Sequence, residues 1–263
     1  MKDVVVTGAY GGMGRATVQA LCERGFRVFA LDRVVDEPQE NVIPIEVDVT
    51  SEEAVTRAMR TVRSYTASLY GIVHFAGTYM LDSLVEMDSE AFRRIFEINL
   101  YGAFLVNKTF LPLLGKGSRI LITTSELAPL DPLPFTGIYA VTKGALDKYA
   151  YSLRMELQLL DISVSVLRAG AVETGILRVS VQALDRFCKQ TKLYTCNAER
   201  FQTIVERVEA RCIPPTAIGE RAVRILQKRN PRFAYSINRN PLLLLLHLLP
   251  KRCQLWIIRL ILR

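Results

Sequence analysis

The chain has 263 residues, is 50% hydrophobic and carries a formal net charge of +8. One sizeable core fits that length, and without long Pro/Gly/Ser linkers, internal repeats or low-complexity tracts a second domain is not expected. Five cysteines (Cys22, Cys188, Cys196, Cys212 and Cys253) form no CxxC pair, which suits a reduced, cytoplasmic setting, and no metal site is expected.

The first predicted strand, over 2–7, begins at once and leaves no room for a signal peptide. Its run Asp3-Val4-Val5-Val6-Thr7 reads as a buried strand. It leads into Gly8-Ala9-Tyr10-Gly11-Gly12-Met13-Gly14 and then into a helical pattern from Arg15 to Cys22, closed by Gly25. Strand, glycine-rich turn and helix form the context of a phosphate-binding loop. Glycines let the backbone approach a pyrophosphate, and the helix N-terminus offers free N–H groups and a positive dipole end. The next strand, over 27–31, ends at Asp32, eighteen residues after Gly14. A carboxylate there can accept hydrogen bonds from the adenine-ribose hydroxyls.

Further strands near 42–47, 71–75, 119–124, 163–167 and 233–236 alternate with helices near 51–65, 88–113, 138–160 and 216–229. That alternation predicts an α/β fold built on a doubly wound sheet. In the long helix Asn99 continues the inward apolar stripe of Phe92, Phe96 and Ala103, where an amide needs partners. Ser125 follows the apolar strand Ile120-Leu121-Ile122-Thr123-Thr124, at the end where ligands bind in such sheets. Tyr139 and Lys143 are four residues apart and share one helix face. A free tyrosine has a pKa of about 10, and bringing it to about 7 takes roughly 4 kcal/mol. A fixed cation in a partly dry cleft is the kind of neighbour that can supply this, so the pair suggests proton transfer at an alcohol or a carbonyl.

Thr7-Gly8-x-x-x-Gly12-x-Gly14, Asn99, Ser125 and Tyr139-x-x-x-Lys143, in this order, resemble the short-chain dehydrogenase/reductase family, over residues 2 to about 236. The resemblance implies a single Rossmann domain over 1–238, with about seven parallel strands and helices on both faces. It also implies catalytic Asn99, Ser125, Tyr139 and Lys143. Tyr139 would exchange the proton while hydride passes to or from a nicotinamide. Lys143 would stabilise the phenolate and grip the nicotinamide ribose, and Asn99 would support a water path to it. Dinucleotide contacts would come from Thr7, Gly8, Gly11, Gly12, Met13, Gly14, Asp32, Arg33, Asp48, Val49, Ala76, Gly77, Tyr139, Lys143, Val172 and Thr174. Within that set Asp48 would contact the adenine amino group and Thr174 the nicotinamide amide. A homodimer or homotetramer, with a face around Phe104 and Leu153, is implied as well.

Several positions depart from the family pattern. The serine usually lies thirteen residues before the tyrosine, and that position here is Glu126. Strand register from Arg119 favours Ser125, with one residue inserted in the loop Pro129–Pro134 and Thr124 as the reserve. The usual Asn-Asn-Ala-Gly is His74-Phe75-Ala76-Gly77, with His74 read as structural. Ala169-Gly170 stands for the usual Pro-Gly. Asp32 would repel a 2′-phosphate, which favours NAD(H), while Arg33 leaves NADP(H) open.

By analogy, residues 175–215 form a lid over the substrate, with Ile176, Leu177, Val179, Val181, Leu184, Phe187, Leu193, Tyr194 and Phe201 as its apolar face. Helix burial explains the same residues equally well. A hydrophobic tail, 239–263, carries five basic and no acidic residues, with Trp256 among aliphatics. It reads as a helix pair lying in a membrane interface, or as one packed on its own domain or a twin subunit. No base-reading motif points to nucleic acid. Lid and tail together resemble the steroid- and retinol-oxidising branches, so the expected substrate is a bulky apolar alcohol or ketone, hydroxysteroid-like. Retinol or another lipophilic alcohol, a non-catalytic NAD(H) sensor and a membrane-docked scaffold are the alternatives.

Overall fold

Seven parallel strands form one sheet in the order β3-β2-β1-β4-β5-β6-β7. They are β1 Lys2–Thr7, β2 Phe26–Asp32, β3 Val42–Glu46, β4 Leu69–His74, β5 Leu114–Ser125, β6 Ser163–Ala169 and β7 Ala234–Ile237. The computed structural model describes residues 1–209 and 211–263; the side chains at 176–179 and 206–209 lie outside that description. Val4, Val5 and Val6 are wholly buried because helices cover both faces of the sheet, which is why β1 reads as an unbroken apolar run. The strand order reverses between β1 and β4, and the crevice outside their carboxyl ends is where such sheets take ligands.

On one face α1 (Gly12–Cys22) packs with α8 (Pro215–Leu226) over Val4, Val6, Val28 and Leu121. On the other lie α2 (Glu52–Tyr65), α3 (Ser89–Phe96), α4 (Gly102–Phe110) and α5 (Gly137–Leu157). Caps fix where the helices start: the Ser51 hydroxyl accepts from Ala54 N at 3.2 Å, and the Asp88 carboxylate accepts from Glu90 N and Ala91 N. The helix expected over 88–113 is not uniform. A π-helical turn, Glu97–Tyr101, joins α3 to α4 and is centred on Asn99, and Leu111–Leu113 closes the run as a 3-10 turn. π-turns of this kind recur at functional sites.

The segment expected to be a lid folds as α6 (Gly175–Gln190) and α7 (Thr195–Glu209). Their core joins Leu184, Phe187, Ala198 and Phe201 to Leu81 and Phe135. Phe135, at the end of the proline-rich loop, has φ +64, a strained conformation for a bulky side chain, yet it stays buried against Phe187, Tyr194 and Phe201. Beyond β7 the tail forms α9 (Pro241–Leu248) and α10 (Lys251–Leu262), folded back over the domain. Among the described residues no helix is long and apolar enough to cross a membrane.

Candidate active site

The dinucleotide cleft, about 520 Å³, opens at the strand-order reversal and is lined by Gly8, Tyr10–Arg15, Asp32, Arg33, Asp48, Val49, Ala76, Gly77 and Thr174 among others. Its floor is backbone. Gly8 turns at φ +65, and a Cβ on it would lie 2.5 Å from Ala76 N; one on Gly14 would lie 2.0 Å from Gly8 O. No side chain caps α1 at Gly11, so the first-turn N–H groups remain available to an anion. At the end of β2 the Asp32 carboxylate is held by two backbone donors, Tyr10 N at 2.9 Å and Arg33 N at 2.8 Å. Asp48 accepts from the Thr50 hydroxyl and amide; the hydroxyl bond is the main reason its pKa lies below the usual carboxylate value. This glycine cradle, uncapped helix end and fixed carboxylate fit a nicotinamide adenine dinucleotide.

Not every expected cofactor contact reaches the cleft. Thr7 is wholly buried, and its hydroxyl lies 3.4 Å from both His74 Nδ1 and Ala76 N, so it braces the ends of β1 and β4 instead. Val172 lines the neighbouring substrate pocket. Arg15 and Arg94 line the cleft without having been singled out by the sequence: Arg15 pairs with Asp36, and Arg94 lies 3.8 Å from Asp48. Neither belongs to the spaced motifs, and only folding brings them to the rim.

A second pocket meets the cleft at Met13, Tyr79 and Thr174. Ser125 and Tyr139 both line it, and Leu127 N donates to Ser125 Oγ at 3.2 Å. The insertion in the loop therefore leaves Ser125 beside Tyr139 despite the longer spacing. Thr124, the reserve, turns its hydroxyl to Asp147, which is also held by Arg168. Glu126 is buried at the pocket edge, and its Oε2 accepts from Asn240 N at 2.6 Å, so it ties the root of the tail to the strand that carries Ser125. Burial raises its pKa.

Lys143 lies behind the cleft wall. Its Nζ is 3.4 Å from Thr123 O, and a Cβ on Gly77 would lie 3.3 Å from Nζ and 3.2 Å from Asn99 Oδ1. Asn99 is fully engaged: Oδ1 accepts from Thr78 N, while Nδ2 donates to Thr78 O and to the Thr142 hydroxyl. It thereby locks the loop after β4 to the helix turn that carries Lys143. Lys143 Nζ is 5.8 Å from the Tyr139 ring centre. The expectation that this cation brings the phenol toward neutrality is corrected here. Burial raises the Tyr139 pKa above its ordinary value, Tyr79 adds to the rise, and the nearby Ser125 hydroxyl only partly opposes it. Burial likewise lowers Lys143 to about 8. Tyr139 is thus held as a neutral phenol, which can donate a proton.

The apolar wall of the pocket also differs from expectation. Of the named lid residues, Phe201 lines it, joined by Ile204, Val205 and Leu243, which the sequence did not single out. Leu184 and Phe187 pack within the lid core, whereas Val181 and Leu193 face outward. The side chains of Ile176, Leu177 and Val179 lie outside the described residues. His74 is buried between Thr7 and Asn107 Oδ1 (2.9 Å), with its pKa depressed by burial to about 4, as a structural role requires.

The family model described as short chain dehydrogenase matches residues 2–185. An NADPH-dependent 1-acyldihydroxyacetone phosphate reductase of Schizosaccharomyces pombe is 29% identical over 181 residues, 66% of this chain and 61% of that protein. Estradiol 17-beta-dehydrogenase 2 of Mus musculus is 30% identical over 209 residues, 72% of this chain and 54% of that one. The chain thus spans less than two thirds of the length of either relative. A solved short chain dehydrogenase family protein from Francisella tularensis shares the fold, with a TM-score of 0.76 at 22% identity, over 90% of this chain and 97% of that one. The chain belongs to the short-chain dehydrogenase/reductase family, oxidoreductases that act on alcohol and ketone groups with NAD(P).

Proposed function

We propose that this protein interconverts a secondary alcohol and a ketone on a bulky apolar substrate, hydroxysteroid-like in class. The observation that carries the reading is that Ser125 and Tyr139 line one mostly apolar pocket where it meets the dinucleotide cleft. In the reducing direction Tyr139 donates its proton to the carbonyl oxygen, and Ser125 orients that oxygen by a second hydrogen bond. A nicotinamide held in the cleft would supply the hydride, or accept it in the reverse direction. Lys143 stabilises the phenolate left on Tyr139, and Asn99 positions Lys143 through Thr142 and Thr78.

NAD(H) is the favoured cofactor, because the Asp32 carboxylate is fixed by two backbone donors and would repel a 2′-phosphate. The steroid class is supported by the apolar residues Phe201, Ile204, Val205 and Leu243, and by the likeness to an estradiol dehydrogenase. A homodimer or homotetramer is supported by the exposed aromatics Tyr101 and Phe104 beside Tyr149. Residues 1–238 form the catalytic domain in this reading. The tail contacts the cytoplasmic side of a membrane peripherally.

The test is NADH and NADPH formation with hydroxysteroids, retinol and simple alcohols, beside Tyr139→Phe. Turnover of the steroid class, reduced about 10²–10⁴-fold in the variant with dinucleotide binding retained, is the expected result. Tight dinucleotide binding without turnover of any member would sink the catalytic reading in favour of a sensor.

A further inference from the structure

The substrate pocket holds about 230 Å³. Sites that enclose a drug-sized ligand run to roughly 300–1,000 Å³. A bulky substrate with its reacting carbon at Tyr139 therefore projects beyond the rim, and Leu243 of α9 forms part of that rim. Inward-facing Leu243 and Leu246 of the same helix meet Leu127, Leu130 and Leu133.

The opposite face of the tail is apolar and open. Leu242, Leu245 and Leu248 of α9, and Leu255, Trp256, Leu260 and Ile261 of α10, are 50–79% exposed. The residue buried most deeply in the tail is polar: Gln254 donates its amide to Leu249 O at 2.8 Å and His247 O at 3.4 Å, closing the end of α9. A helix whose only task is to cover its own domain turns its largest apolar side chains inward. Here a row of leucines and the only tryptophan point outward. Polar ties hold that face in place: Asp131 engages His247 and Lys251, Asn197 Nδ2 donates to Leu262 O at 2.6 Å, and Glu126 holds Asn240 N. Exposed Leu84 and Val85 adjoin Ile258 and Leu262 and widen the patch. The tail's own charged residues are all of one sign, Arg239, Lys251, Arg252, Arg259 and Arg263, with no acidic residue in 239–263 and Lys251 paired to Asp131 outside it.

We propose that α9 and α10 seat the protein on an anionic bilayer and make the pocket mouth a portal that receives substrate directly from the lipid phase. The outward leucines and Trp256 enter the headgroup–acyl boundary, and the basic residues meet lipid phosphates. Leu243, between the portal and the pocket, gives the substrate an apolar route to Tyr139. The portal rests on the apolar-substrate reading above; the docking does not.

The experiment uses the full chain and a triple variant, Leu245→Glu, Trp256→Glu and Leu260→Glu, changed only at exposed positions, with thermal melts as the folding control. The wild type is expected to float with phosphatidylcholine–phosphatidylglycerol vesicles at least ~10-fold better than with phosphatidylcholine alone, and less well in high salt, while the variant stays in the bottom fraction. On a vesicle-dissolved ketone the wild-type rate should follow the ketone's mole fraction in the bilayer. The variant should lose that rate and keep its rate on a short water-soluble ketone. Equal flotation of wild type and variant, or absence of wild-type flotation, would overturn the docking. So would a dimer, seen by light scattering, that the variant breaks without any vesicle binding. Equal rates on the vesicle-borne ketone would overturn the portal. Failure of every ketone with flotation intact would sink the enzymatic reading alone.

Discussion

At the dinucleotide end of the active site the glycine turn is walled by main chain. A Cβ on Gly8 would meet Ala76 N, one on Gly14 would meet Gly8 O, and Asp32 is pinned by two main-chain donors. At the substrate end the wall is side chain, with Phe201, Ile204 and Val205 on α7 and Leu243 on α9. Backbone walls tolerate few residue types, because a clash with a carbonyl or an amide cannot be relieved by a rotamer change. Side-chain walls can be rebuilt by any residue of similar bulk. One end is therefore specialised for a constant partner and the other is free to specialise for a variable one.

The contrast is broken most severely at Gly14, where a Cβ would lie 2.0 Å from Gly8 O. Gly14→Val should weaken dinucleotide binding at least ~100-fold by fluorescence titration and destabilise the fold by about 2–3 kcal/mol. A null effect on binding would refute the backbone-cradle account.

Lys143 sharpens the picture from the catalytic side. Its folded pKa of about 8 lies below the free value of 10.5. Between those values the unfolded chain holds more protons than the native one, so stability rises with pH across that window, and below it the buried charge costs about 3 kcal/mol. Lys143→Met should therefore lose turnover yet melt higher at pH 7, with the gap closing toward pH 10.5. An equal or lower melting temperature at pH 7 would show that the lysine stabilises the fold.

His74 shows the same logic at acid pH. Its folded pKa of about 4 lies below the free value of 6.5, so the wild type loses stability as pH falls from 6.5 toward 4, by up to about 3 kcal/mol. His74→Asn should flatten that acid limb in urea titrations at successive pH values. An unchanged limb would assign the acid sensitivity to other groups.

The smallest effect lies in the tail. Glu126→Gln keeps an acceptor for Asn240 N but removes the charge. Exchange of the α9 amides should quicken by up to about 5-fold, with little change in melting temperature. Global destabilisation instead would make Glu126 a core element rather than a local tie.

The glycine turn and the Tyr139–Lys143 spacing were legible because each depends on neighbours within one turn or one helix, where sequence distance is spatial distance. The α/β class of the sheet followed from alternation for a related reason: parallel strands buried on both faces need apolar runs and crossover helices. The π-turn at Asn99 was not legible, since one extra residue in a helical turn leaves the apolar stripe almost unchanged. Nor was the partner of the Thr7 hydroxyl, His74, sixty-seven positions away.

By itself, then, the sequence determined the family, the glycine turn and the placing of Tyr139 and Lys143 on one helix face, because those are set by local backbone geometry and helical spacing. Tertiary structure decided which apolar residues face the pocket and which way the tail turns. It also decided how burial moves Tyr139 and Lys143 away from their ordinary pKa values. Desolvation and packing sum contributions from segments far apart in the chain, and no local pattern carries that sum.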